Sequence, residues 1–270
     1  MKYIIAMCLI AFVACDKYPT FGHRSQHLIK NKMSMAKRKS SRIINGEDAD
    51  ISEFPWQASL RIFSHHVCGA AVIATRTAVT AAHCVKGRSR SFTLKVGSTK
   101  LSGHKGTVVA VRKIITVSIH PHFKKFRNDI AILKFDRDIA GPSHRLAKTI
   151  AIPKSDDDFA GAKCIITGWG RILDVNGSLI RTNKLQKART KVLTVSDCKK
   201  RAGKSFIKKS HVCVYTGYNG ACFGDSGGAL SCGKVLVGVT SFGHFGCAVN
   251  HPSVYTRISC YRDWIQKHIR

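Results

Sequence analysis

Gly220-Ala221-Cys222-Phe223-Gly224-Asp225-Ser226-Gly227-Gly228 places one serine between glycines, directly after an aspartate and close to a cysteine. A serine hydroxyl is a weak nucleophile at neutral pH. It needs a base to take its proton and N–H donors to stabilise the oxyanion it creates. Small neighbours let the backbone turn sharply and let a carbonyl approach. Two other stretches supply the missing chemistry. Thr80-Ala81-Ala82-His83-Cys84 offers an imidazole, and Asn128-Asp129-Ile130-Ala131-Ile132-Leu133 offers a carboxylate to orient it. Taken singly, each has a plain structural reading: a loop serine, a packed histidine, a turn aspartate.

Outward from that stretch, other segments fall into a recognisable order. They are Ile43-Ile44-Asn45-Gly46, the His83 and Asp129 segments, Thr167-Gly168-Trp169-Gly170, the Ser226 segment and Val254-Tyr255-Thr256-Arg257. From Arg42 onward the chain resembles the chymotrypsin/trypsin family of serine proteases, in which the three groups run His, Asp, Ser along the chain. The resemblance implies a nucleophile at Ser226, a general base at His83 and an orienting acid at Asp129. It implies an oxyanion hole from the N–H groups of Gly224 and Ser226. It also implies activation by cleavage after Arg42, whereupon the new ammonium of Ile43 pairs with Asp225.

The same resemblance places the substrate side-chain pocket around Gly220, Ala221, Gly243 and Ser253, and counts Phe223, Ser241 and Phe242 with the substrate-binding residues around it. Trypsin-like members hold an aspartate at the pocket base, where this chain has Gly220. Ser253 replaces a usual glycine of the wall. A cationic side chain would be buried there unpaired, so cleavage after uncharged residues is expected, with aromatic preference ahead of small apolar preference. Phe126, Phe223 and Phe242 are expected to line neighbouring subsites, with plain packing as the alternative reading. Ser241 matches a serine that hydrogen-bonds near the catalytic aspartate.

The period-2 and β-branched runs at 56–62, 70–74, 92–96, 107–111 and 235–239, punctuated by Gly and Asn, predict an all-β protein. Trp264, Ile265 and Ile269 predict one C-terminal amphipathic helix. The resemblance specifies the architecture as two six-stranded antiparallel β-barrels with the site in the cleft between them.

Residues 1–15 read as a signal peptide: Lys2, an apolar run over 3–13, and small residues before Asp16. The run is shorter than the ~20 residues that span a bilayer, and no later segment predicts a membrane anchor. The competing reading is a buried first strand. Residues 16–42 are basic and polar and read as a propeptide or as a plain disordered tail. The protease domain is expected over 43–270, and the location secreted and extracellular.

The chain has 11 cysteines. Removal of 1–15 leaves nine, which an oxidising compartment should mostly pair. Spacing alone leaves connectivity open. The resemblance implies Cys68–Cys84, Cys164–Cys232, Cys198–Cys213 and Cys222–Cys247. Cys260 is left over, with Cys15 or another chain as candidate partner. Asn176-Gly177-Ser178 is both a glycosylation sequon and an ordinary turn signal.

No cofactor or metal is expected. Residues 85–128 contain no Asp or Glu, which disfavours a calcium loop, and His120-Pro121-His122 alone is too few ligands. Residues 43–270 hold 36 basic and 14 acidic side chains, a net +22. The densest basic stretch runs from Lys184 to Lys209, centred on Lys199-Lys200-Arg201. Such a field attracts polyanions such as acidic glycans, or serves as a solvated surface. Nucleic acid is not the expected partner, because the leader points to secretion and no aromatic-plus-basic motif is present. The expected partners are protein or peptide substrates and an activating protease that cleaves after Arg42. The rival function is a catalytically idle, cationic polyanion-binding protein on the same scaffold.

Overall fold

The computed structural model describes residues 43–269, apart from 88–91, 104–109, 143, 204–206, 245–246 and 248. The expected signal peptide, propeptide and cleavage residue Arg42 lie outside the described residues. Chain order begins with β1 (Glu47–Asp48), β2 (Gln57–Ile62), β3 (His65–Ala74) and β4 (Thr77–Thr80). A one-turn helix α1 (Ala82–Val85) follows, then β5 (Phe92–Val96), β6 (Ala110–Lys113), β7 (Thr116–Ile119) and β8 (Ala131–Lys134). The second half holds β9 (Lys163–Gly168), the short hairpin β10 (Ile172–Leu173) and β11 (Leu179–Ile180), and β12 (Gln186–Lys191). It continues through α2 (Val195–Ala202), β13 (His211–Val214), β14 (Ala229–Cys232), β15 (Val235–Phe242) and β16 (Ser253–Arg257), and ends in α3 (Arg262–Ile269).

Two antiparallel sheets curl into barrels. The first runs β6-β5-β2-β3-β4-β8-β7. Its edges are consecutive in sequence: β6 pairs with β5 and β7 with β8. The chain around Ile114–Ile115 therefore carries one edge round to the other, so a single bent stretch counts as two strands. The second runs β1-β12-β9-β14-β15-β16-β13, and a bridge between Val192 and Val214 draws its ends together. Each sheet thus has seven strands where six are expected. The surplus is the bend between β6 and β7 in one and the two-residue β1 in the other. Closure leaves few free edges for aggregation.

The expected run at 107–111 enters the described residues only at Ala110, where β6 begins. The C-terminal helix buries Ile265 completely and packs Trp264 and Ile269 against the first barrel's core. That core extends into the second barrel through Trp169, Leu236 and Val239. A separate cluster of Ile43, Ile166, Leu230, Val237 and Tyr255 fills the second barrel.

The barrels touch at two glycines. A Cβ on Gly69 of β3 would lie 2.6 Å from the Gly228 Cα, closer than side chains tolerate. Glycine at both positions allows the backbone contact that brings Ser226 against the first barrel. Disulfides then tie the elements: Cys68–Cys84 joins β3 to α1, Cys164–Cys232 joins β9 to β14, and Cys198–Cys213 joins α2 to β13. Cys222–Cys247 joins two loops of the cleft. Cys260 is free and exposed, its sulfur 3.6 Å from the Lys209 carbonyl.

Candidate functional site

His83 sits in α1, a helix short enough to be held by its surroundings rather than by its own hydrogen bonds. Buried Ala81 and Ala82 let it press into the barrel, and the Cys84 disulfide fixes its far side. Asp129 enters from the opposite side. Asn128 adopts φ +52°, a left-handed conformation that asparagine tolerates. Its side chain is held from both directions, donating to the His122 carbonyl (2.8 Å) and accepting from the Tyr261 hydroxyl (2.9 Å). That turn directs the Asp129 carboxylate inward.

There the Asp129 carboxylate accepts from the backbone N–H of His83 (2.9 Å), from His83 Nδ1 (2.7 Å) and from the Ser241 hydroxyl (2.6 Å). Thr256 Oγ1 donates to its carbonyl at 2.8 Å. The bond to a carboxylate puts the imidazole proton on Nδ1 and leaves Nε2 as the basic nitrogen. Ser226 meets the first barrel through its backbone: Gly69 N–H donates to its carbonyl at 2.7 Å. Among the described residues no hydrogen bond joins the Ser226 hydroxyl to His83. Such bonds commonly tighten only once substrate is bound.

The turn around Ser226 is pinned at nearly every peptide. Asp225 N–H donates to the Cys222 carbonyl, and Gly228 N–H to the Asp225 carbonyl. Gly224 has φ +102°, which a side chain would strain. The N–H groups of Gly224 and Ser226 have no acceptor among the described residues. They remain available as donors to a ligand.

Asp225 is buried and accepts from the N–H groups of Gly170 (2.8 Å) and Cys222 (2.9 Å). No cation pairs with it among the described residues. Burial pushes its carboxyl up to about 6, against the lowering effect of those two N–H bonds. A Cβ on Gly168 or Gly170 would collide with this carboxylate, so both glycines of Thr167-Gly168-Trp169-Gly170 are spacers for Asp225. A bridge between Ile44 and Gly220 lays the Ile43 segment beside this turn.

Ser59 and His66 belong to the same site and carry no motif that marks them in the sequence. His66 Nε2 lies 3.0 Å from the Gly224 carbonyl and Nδ1 lies 2.9 Å from the Ser59 hydroxyl. Burial brings His66 down to about 4, so its imidazole is neutral at physiological pH. A neutral ring has one N–H. The carbonyl can only accept, so Nε2 donates to it and Nδ1 accepts from Ser59.

Beside Ser226 lies a cavity of about 360 Å³. Phe126, Phe223, Phe242, Ala221, Ser241, Gly243 and Ser253 all line it, and no Asp or Glu does. Phe126 and Phe242 meet with ring centroids 4.6 Å apart. Gly220 is not part of the wall. It sits behind Ser253, whose hydroxyl accepts from Ala221 N–H at 3.2 Å and would lie 3.2 Å from a Cβ on Gly220. The hydroxyl is therefore engaged with the backbone at the base of the cavity.

Cys68, His83 and Cys84 lie close together, but the two sulfurs form a disulfide and are not thiolate ligands. His120 packs on Tyr261 and Trp264, and its Nδ1 accepts from His122 N–H. Asn176 is exposed in the β10–β11 connection.

The basic stretch divides in two. Lys184 pairs with Asp48, and Lys187 with Glu53. Lys199, Lys200 and Arg201 occupy the last turn of α2, where cations suit the helix dipole, and Arg201 stacks on Tyr215 at 4.5 Å. Lys199 shares a cavity of about 930 Å³ with Lys208, Lys209, Arg257 and Arg262, and also with Asp156, Asp158 and Asp263. Arg257 is buried, and its Nε has no partner.

Two closed β-barrels with this cleft define the chymotrypsin-like class of β proteins. The Trypsin family profile matches residues 43–265, and the chain belongs to that family. It is 36% identical over 231 residues to Chymotrypsin-2 of Vespa crabro, covering 84% of this chain and 99% of that protein. It is 33% identical over 245 residues to a chymotrypsin-like serine proteinase of Haliotis rufescens, covering 84% and 91%. It is 36% identical over 253 residues to chymotrypsin-like elastase family member 3B of Macaca mulatta, covering 85% and 94%. The chain is a serine endopeptidase of the chymotrypsin/trypsin family, and its substrates are proteins or peptides.

Proposed function

We propose that Ser226, His83 and Asp129 form the catalytic triad, and that the enzyme cleaves after uncharged residues once its precursor is cut at Arg42. The contact of His83 Nδ1 with a buried carboxylate carries the catalytic part. His83 Nε2 takes the Ser226 proton as the hydroxyl attacks the scissile carbonyl. Asp129 stabilises the imidazolium, and Nε2 then protonates the leaving amine. The N–H groups of Gly224 and Ser226 hold the oxyanion.

The apolar, carboxylate-free cavity beside Ser226 supports the specificity. A Lys or Arg side chain would lose its hydration there without gaining a partner. Burial of Ile43 and the unpaired carboxylate of Asp225 support the activation step. Cleavage would free an ammonium to pair with Asp225.

On this reading residues 1–15 direct secretion, 16–42 form the propeptide and 43–270 the protease domain. The four disulfides suit an oxidising compartment, and no helix of the described residues is long and apolar enough to cross a membrane. The basic face of α2 retains the enzyme on acidic glycans or similar polyanions. The deciding experiment profiles the purified precursor and its Arg42-cleaved product on a peptide library, with a fluorophosphonate label on Ser226. Expected are labelling and turnover after cleavage only, with Phe, Tyr or Leu exceeding Lys and Arg by about a hundred-fold. Absence of labelling in the cleaved chain would support the idle, polyanion-binding alternative.

A further inference from the structure

The cleft continues past the serine. Across Phe223 from the apolar cavity lies a second one of about 800 Å³, and Phe223 belongs to the walls of both. Gly224 opens onto this second cavity. Arg61, Arg171 and Arg181 also line it, and among the described residues no Asp or Glu does.

The three arginines differ in how firmly they are held. Arg61 is half-buried at the end of β2; one guanidinium nitrogen donates to the Leu101 carbonyl at 3.2 Å, while its Nε is buried without a partner among the described residues. Arg171 donates to the Leu179 carbonyl at 3.0 Å. Arg181 is exposed, and its side chain has no hydrogen-bond partner among the described residues. None of the three is in an ion pair among the described residues. Fixed charges of one sign along a cleft wall focus the field and raise the local concentration of the opposite charge. The guanidinium fork matches a carboxylate in two parallel hydrogen bonds.

The direction of the substrate follows from the walls. On the proposed reading the first cavity, which includes Ser241, Phe242 and Gly243, takes the residue before the scissile bond. The chain beyond that bond then crosses Gly224 into the second cavity. We propose that this second cavity binds the first residues after the scissile bond and selects substrates carrying Asp or Glu there. The inference rests on Ser226 as nucleophile and on the apolar cavity as the site for the preceding residue.

The test uses the Arg42-cleaved enzyme and three quenched fluorescent peptides. They are identical up to the scissile bond and carry acidic, neutral amide or lysine residues at the three positions after it. A partly exposed Arg–carboxylate pair is worth up to about fivefold, so two such pairs should raise kcat/KM for the acidic peptide over the neutral one by about tenfold. The lysine peptide should be slowest. In about 1 M salt, where screening reaches only ~3 Å, the ratio should fall toward one. R171Q/R181Q should lower the acidic-to-neutral ratio toward one at low salt, and R181E should invert it. Because each ratio is taken within one protein, a general loss of folding cannot imitate the result. A wild-type ratio of one or below, or a ratio unchanged in both variants, overturns the proposal. Cleavage of none of the three peptides would instead break the underlying reading of Ser226.

Discussion

Asp129 and Asp225 are both sealed from solvent, 1% and 2% exposed, yet the chain treats them in opposite ways. Asp129 accepts from a side-chain hydroxyl, a backbone N–H and an imidazole that can carry the compensating charge. Asp225 accepts from two backbone N–H groups and has no cation beside it among the described residues. A buried carboxylate with a cationic partner is in place for use. One without such a partner stores an electrostatic debt, and burial raises its pKa. The first arrangement suits a permanent part of a reaction centre. The second suits a group whose partner is made later.

The largest effect should come from removing the Ser226 hydroxyl or the imidazole next to Asp129. Ser226→Ala and His83→Ala should each lower kcat about a million-fold in the cleaved enzyme, because the two act as a unit. Burst titration with an active-site ester measures it, and retention of more than a few per cent of activity would break the assignment. Asp129→Asn should cost about ten-thousand-fold. The amide must turn its NH₂ group toward one of the three donors it faces, and the imidazole is then driven to the wrong tautomer. If Asp129→Asn were instead as active as wild type while Asp225→Asn were inactive, the roles of the two carboxylates would have to be exchanged.

Next in size is a pH effect confined to Asp225. Its folded pKa of about 6 lies above the ordinary 3.8. Between those values the folded precursor binds more protons than the unfolded chain, so stability falls as pH rises through that window. The loss amounts to about 3 kcal/mol by pH 7. Urea unfolding of the uncleavable Arg42→Gln precursor should show this fall, and the fall should vanish when Asp225→Asn is added. Identical pH dependence with and without Asp225→Asn would remove the stored-charge account. In the cleaved enzyme the new ammonium should reverse the sign, stabilising the folded state as Asp225 ionises.

The apolar cavity beside Ser226 sharpens the comparison from another side, since none of the described residues that line it is a carboxylate. Gly220→Asp alone should shift preference toward Arg and Lys only weakly, because Ser253 stands between that position and the cavity. Gly220→Asp combined with Ser253→Gly should raise kcat/KM for Arg and Lys substrates about tenfold over the single variant, by exposing the new charge to the substrate. Equal behaviour of the single and double variants would show that Ser253 is no barrier. The smallest effect is on the surface. Replacing Lys199, Lys200 and Arg201 by Gln should lower the salt needed to elute the enzyme from heparin, since exposed charges act only within ~8 Å at physiological ionic strength. Elution identical to wild type would remove the α2 face as the binding surface.

The fold class was legible along the chain. Alternating β-branched runs can close only by burying one face, and the segments around His83, Asp129 and Ser226 carry their chemistry in their residue types. The C-terminal helix was legible from the spacing of Trp264, Ile265 and Ile269, because a period near 3.6 aligns apolar groups on one face. Other features were decided only in three dimensions. Ser59 and His66 have no motif, and they matter because β2 and β3 carry them to Gly224. The glycines of Thr167-Gly168-Trp169-Gly170 read as a family signature, but their physical reason is the Asp225 carboxylate from a segment 55 residues away. Gly220 looked like the base of the specificity cavity, whereas the fold puts Ser253 in front of it. The three arginines of the second cavity come from β2, the residue before β10 and the residue after β11, so no local pattern could join them. Pattern along the chain reports which faces are buried. Which buried or charged group meets which depends on barrel closure and on the contact of Gly69 with Gly228, and those are properties of the assembled fold.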